Sequence, residues 1–116
     1  MAISFEILNR GNETVSDSVE SIITNPSGST THIGSIVMFN QHTSSVTLTL
    51  HIVEGSGGAA GVADANNKIY VKVFQPNQTI VWNDNVHILD TAGDSLQAVA
   101  DVADKINIRV YGVDET

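Results

Sequence analysis

The feature that most constrains this chain is a two-residue rhythm of apolar and polar side chains that recurs along its length. It is cleanest in SSVTLTLHIV, residues 44–53, where Val46, Leu48, Leu50 and Ile52 alternate with Thr47, Thr49 and His51. Successive side chains of an extended strand point to opposite sides, so this period gathers the aliphatic residues on one face. It leaves threonine, whose branched Cβ suits a pleated surface, on the other. In residues 86–113, Leu96, Ala98 and Ala100 alternate with Ser95, Gln97 and Val99, and Ile106, Ile108 and Val110 alternate with Asn107 and Arg109. A helix would space its apolar residues three and four apart, and no stretch of convincing length does so. Residues 98–103 have some helical propensity, but the alternation before them and IRVYGV after them favour strand.

The same rhythm appears in Ile3, Phe5 and Ile7 and in residues 68–74, while THIGSIVMFN at 31–40 is a stronger apolar run and Thr79-Ile80-Val81-Trp82 and Val86-His87-Ile88-Leu89 are short runs set off by polar breaks. A less regular run, with Val15, Val19 and Ser21-Ile22-Ile23-Thr24, precedes the turn chemistry of Asn25-Pro26-Ser27-Gly28. Turn residues separate most of these runs, and the count comes to about eight strands. The expected fold is all-β, an antiparallel two-sheet sandwich, jelly-roll-like. Residues 13–116 form its single domain, preceded by an N-terminal strand or arm at 1–12. Asn40-Gln41-His42-Thr43 is short enough to join the runs on either side of it as a hairpin in the middle of one sheet.

A chain of 116 residues suffices for one core. Cysteine is absent, which removes disulfides and thiolate chemistry. Thirteen acidic residues against five basic ones give a net charge of -8, spread along the chain. Phosphate backbones and anionic lipids reward Lys and Arg, so neither nucleic acid nor a membrane surface is an expected partner. The start lacks a basic region and a longer apolar core, which argues against a signal peptide and for synthesis in the host cytoplasm. No run approaches the roughly 20 apolar residues of a membrane span.

Reactive constellations fail one by one. His32, His42, His51 and His87 show no HExxH or other compact ligand spacing. The acids Asp84, Asp90, Asp94, Asp101 and Asp104 follow no EF-hand order and read as turn residues that accept backbone hydrogen bonds. The stretch EGSGGAAGVADANN, residues 54–67, contains neither a Gly-Lys-Ser/Thr phosphate loop nor a dinucleotide fingerprint, and reads as a flexible connector between strands. No catalytic, metal or cofactor residue is assigned, and the chain is expected not to be an enzyme. Two sets of contact residues remain. Ile3, Phe5 and Ile7 form an apolar strip suited to a contact with a neighbouring subunit, and Tyr70, Phe74 and Trp82 are aromatics suited to a glycan.

The order of THIGSIVMFN, SSVTLTLHIV, the Gly/Ala-rich stretch, Ala92-Gly93-Asp94-Ser95-Leu96 and the closing INIRVYGV resembles small β-sandwich proteins of tailed bacteriophages. These serve as capsid decoration, cement, or head and tail accessory proteins, and the resemblance spans roughly residues 31–113. It implies a structural virion protein that decorates and stabilises a capsid by contact with the major capsid protein or another virion protein. It further implies a homo-oligomer, frequently a trimer, with no cofactor. A tail or fibre module that binds a host receptor or glycan is the other reading. The first 30 residues depart from the family pattern, in SVESIITNPSGS above all, which leaves the mode of attachment open.

Overall fold

The computed structural model describes residues 3–9, 11, 13–84 and 87–115, with side chains described from position 6 onward. Arg10, Asn12 and Val86, which the sequence places in a turn and a strand, lie outside the described residues, as do the side chains of Ile3 and Phe5. Among the described residues nine strands follow in order: β1 (Ile3–Ile7), β2 (Glu20–Thr24), β3 (Thr30–Asn40), β4 (Val46–Val53), β5 (Lys68–Phe74), β6 (Thr79–Trp82), β7 (His87–Leu89), β8 (Ser95–Ala100) and β9 (Ile106–Glu115). They form an antiparallel two-sheet sandwich, all-β and jelly-roll-like. Sheet A runs β1-β9-β3-β6, with β7 also paired to β3, and sheet B runs β2-β8-β4-β5. Among the described residues no helix is long and apolar enough to cross a membrane.

The core is what the alternation requires. Ile33, Ile36, Met38, Ile106, Ile108 and Val110 of sheet A face Val46, Leu48, Leu50, Leu96, Ala98 and Ala100 of sheet B, all of them buried. At about 25 cal/mol per Å² of apolar surface removed from water, this interior is the main force for folding. Threonines 47 and 49 take the outer positions, half exposed.

The expected hairpin between 31–40 and 44–53 does not form. β3 and β4 sit in different sheets, and the link between them arches across the sandwich. Each of the two strands has one apolar face, and stacking the faces across the core buries both at once. Side-by-side pairing would leave both faces in need of a second cover.

Asn40 makes the arch. It is fully buried, and its Nδ2 donates to the carbonyl oxygens of Ser44, Phe74 and Gln75 at 3.1–3.2 Å while its Oδ1 accepts from the His42 amide at 2.9 Å. Its own N–H donates to the Gln78 carbonyl and its carbonyl accepts from Asn77. One residue thus ties the end of β3 to the start of β4 and to the β5–β6 turn. Asn25 does the same at another corner: its Nδ2 donates to Ser29 and Thr91 carbonyls, and its Oδ1 accepts from the Thr31 hydroxyl at 2.8 Å. Asn9 joins β1 to β9, donating to the Ile108 carbonyl and accepting from the Val110 amide.

Replacing Asn40 by alanine strands buried carbonyls and should cost about 3 kcal/mol, measured by urea unfolding. Asn40→Asp should cost more at neutral pH, because a carboxylate would face three carbonyl oxygens. Its folded-state pKa is then raised above the carboxyl's ordinary value of about 4, so the deficit should shrink as pH falls through the raised pKa and level off below about 4.

Candidate interaction surfaces

Among the described residues no group of three or more His, Asp or Glu is placed to hold a metal ion. Of the five acids expected in turns, Asp94, Asp101 and Asp104 accept hydrogen bonds there. Asp94 is buried, with Oδ1 accepting from the Gly55 amide at 2.8 Å and Oδ2 from the Thr91 amide at 3.0 Å. Asp101 caps the Thr47 amide. Asp104, at a φ of 61°, accepts from the Thr14 hydroxyl. The histidines are scattered: His32 lies 4.0 Å from Glu115, and His51 contacts the Asn67 carboxamide at 2.9 Å.

His51 occupies an outer position of sheet B, as its place in the alternation predicts, yet it is buried. Its cover is the 54–67 stretch, which folds back over Val53, Ser95, Gln97 and His51 instead of hanging free. The Gln97 amide donates to the Gly61 carbonyl at 3.1 Å, and Asn67 pins the far end through the Asp64 amide and the Val62 carbonyl. The glycines serve close approach. A Cβ on Gly55 would lie 2.6 Å from the Ala92 carbonyl oxygen, and one on Gly61 would lie 2.5 Å from that of Glu54. Gly93 at φ +91° meets Ala59 in the same way, at 2.5 Å.

Of the three aromatics proposed for a receptor or glycan, Tyr70 and Trp82 are brought together, both half-buried, and Phe74 lies in the core. Phe74 is 0% exposed, opposite Val46, so it offers no surface to a ligand. Tyr70 at the β5 edge of sheet B and Trp82 at the β6 edge of sheet A stack on each other, with ring centroids 4.5 Å apart. The pair closes the side of the sandwich, and His87 tilts against the Trp82 ring at 4.8 Å. Burial, with the Asp84 carboxylate adding to it, raises the Tyr70 phenol above its ordinary range; burial lowers His87.

The strip at the N-terminus is an edge strand: Ile3–Ile7 pairs antiparallel with β9, placing Ile7 opposite Tyr111. Here the outer face of sheet A departs from the polar pattern expected of a solvated sheet. Ile7 and Tyr111, then Val37 opposite Val81, and then Phe39 lie on the side away from the core, all half-buried or exposed. A groove of about 520 Å³ runs along this face, floored by Val37 and Phe39 and flanked by Glu13, Asn107 and Arg109. Arg109 is held in place by its Nη1, which donates to the Gly11 carbonyl. Reasoning from sequence missed this face because Val37 and Phe39 sit in the apolar run THIGSIVMFN, where both sides of the strand read as core.

No protein-family model matches the chain, and no curated protein matches it. Among solved structures it has a distant likeness to the crystal structure of a pentameric capsid protein isolated from metagenomic phage sequences. The two share 17% sequence identity and a TM-score of 0.30, over 88% of this chain and 58% of that one. The chain therefore spans less than two thirds of that protein's length.

Two measurements check these surfaces. Gly93→Ala combines a disfavoured dihedral with a backbone collision and should cost about 2–4 kcal/mol, whereas Gly28→Ala, with φ +79° and open space around it, should cost only about 1 kcal/mol. Trp82 is the single tryptophan, so its fluorescence should titrate with His87 at a midpoint below the ordinary histidine value of about 6.5, and the transition should vanish in His87→Gln. Because the folded-state pKa lies below the unfolded one, stability from this site should fall as pH drops below about 6.5 and level off under the folded pKa.

Proposed function

We propose that this chain is a structural virion protein that decorates and stabilises a tailed-phage capsid through protein-protein contacts made by the outer face of sheet A. The observation that carries the reading is the apolar character of that face, from Ile7 and Tyr111 to Val37, Phe39 and Val81, on a sheet whose other side is already satisfied by the core. An apolar sheet face left open to water marks a protein contact. Among the described residues no group of three or more His, Asp or Glu is placed to hold a metal ion on this face or elsewhere. The virion itself is supported by the order of sequence motifs, and the major capsid protein is the natural partner. A trimer is the oligomer that the resemblance favours.

The alternative of a tail or fibre module rests on Tyr70 and Trp82. Each ring already uses one face on the other, which leaves less for a sugar.

Binding to capsid shells assembled without the protein tests the assignment. Removing residues 1–9 would also remove Asn9 and its bonds to β9, so point variants are preferable. Val37→Asp and Tyr111→Ser should each lower capsid occupancy by more than about tenfold, the loss expected for a contact residue near the middle of an interface. Trp82→Ala should leave it unchanged. Occupancy that survives both face variants, or glycan binding lost in Trp82→Ala, would turn the assignment toward the tail module.

A further inference from the structure

The two sheets end differently. In sheet A the β3 edge is broken into β6 and β7, of four and three residues. Sheet B ends in β2 and β5, each paired on one side only among the described residues, with the register of β2 shifting at Ile22 and that of β5 at Ile69, outside the stretches from 17 to 21 and from 70 to 74. β5 is seven residues long, with Val71 and Val73 54% and 50% exposed. Such an edge presents a row of backbone N–H and C=O groups ready to accept another strand.

We propose that sheet B is continued by a second copy of this chain, with β5 of one copy pairing antiparallel to β2 of the next. Strand direction permits it. The four strands of sheet B alternate, so β2 and β5 run in opposite senses, and two copies in the same orientation meet antiparallel. Charge selects it. Of five basic residues in a chain of net charge -8, Lys68 and Lys72 both lie exposed on β5, and neither forms an ion pair with a described residue. The opposite edge carries exposed Glu20, with exposed Asp17 shortly before it. Pairing two β5 strands about a two-fold axis would set these lysines against each other, whereas β5 against β2 sets Lys against Glu.

Side-chain direction then fixes the register. Glu20 pairs with Ala98 and Lys72 with Leu48, both core-side positions, so the two charges share one side of sheet B. Placing Glu20 of one copy opposite Lys72 of the next brings Val19, 45% exposed, opposite Val73. A single register therefore joins the charges and covers the exposed valines. Such a contact is heterologous: each copy gives one edge and receives the other, and repetition closes a ring or extends a filament. It uses a different surface from the capsid face and does not depend on the virion assignment.

Sedimentation velocity on the full-length chain reads the association. Glu20→Lys and Lys72→Glu should each raise the self-association constant Kd by at least about tenfold, with the fold checked by circular dichroism. Mixing the two single variants, or combining both changes in one chain, should restore association. The sequence has no cysteine, so a V19C/V73C chain should give a ladder of disulfide-linked multimers on oxidation. A wild-type chain that stays monomeric at millimolar concentration, a Glu20→Lys chain that associates like the wild type, or oxidised V19C/V73C that remains monomeric would each overturn the proposal. None of these readouts involves capsid occupancy, so their failure leaves the reading of sheet A untouched.

Discussion

The sandwich depends on a few buried carboxamides at the points where the chain leaves one sheet or turns at its edge. A strand that ends inside a sandwich leaves carbonyl and amide groups that water cannot reach, and each unpaired one would cost about 1–3 kcal/mol. Asn40, Asn25 and Asn9 meet that demand because a carboxamide donates and accepts at once and is short enough to be enclosed. The aliphatic core supplies the bulk of the driving force but is indifferent to which strand follows which. At Asn40 three carbonyls from two different connections converge on one Nδ2, and this makes the arch from β3 to β4 a single arrangement.

Once the corners are set, the remaining surfaces acquire distinct characters. The outer face of sheet B is partly roofed by the 54–67 stretch, which shields His51 and Gln97 and supplies their partners. The outer face of sheet A carries Ile7, Tyr111, Val37, Phe39 and Val81. Where the sheets gape, Tyr70 and Trp82 close the side by stacking. Rings that read as ligand platforms in the sequence are thus part of the closure, and Phe74 is part of the core.

Much of the architecture was legible in the sequence because a two-residue period has one physical meaning. Residues 68–74 and 79–82 became β5 and β6 at their expected limits, and the alternation at 44–53 named the buried face of β4. Pairing was less legible. The link at 40–43 looked like a hairpin because length alone cannot tell a turn within a sheet from an arch between sheets, and the deciding contacts of Asn40 reach to residues 74 and 75. The 54–67 stretch looked flexible for a related reason: glycine signals freedom to a reader of sequence, while here it answers backbone atoms brought close from residues 92 and 93. The apolar face of sheet A was hidden inside a run that seemed wholly interior.

That glycine-rich cover separates shape from chemistry. It is held by its backbone against the backbone of a neighbouring turn, through Gly55 on Ala92 and Gly93 and through Gly93 on Ala59, while the side chains at its crest face outward, with Val62 80% exposed. Its path is therefore set by glycines that have no side chain to vary, together with the carboxamides of Asn67 and Gln97 and the Asp94 carboxylate, and its crest by residues that take little part in setting the path. The crest can change its polarity or bulk with little effect on its outline, much as a fixed frame can carry different coatings.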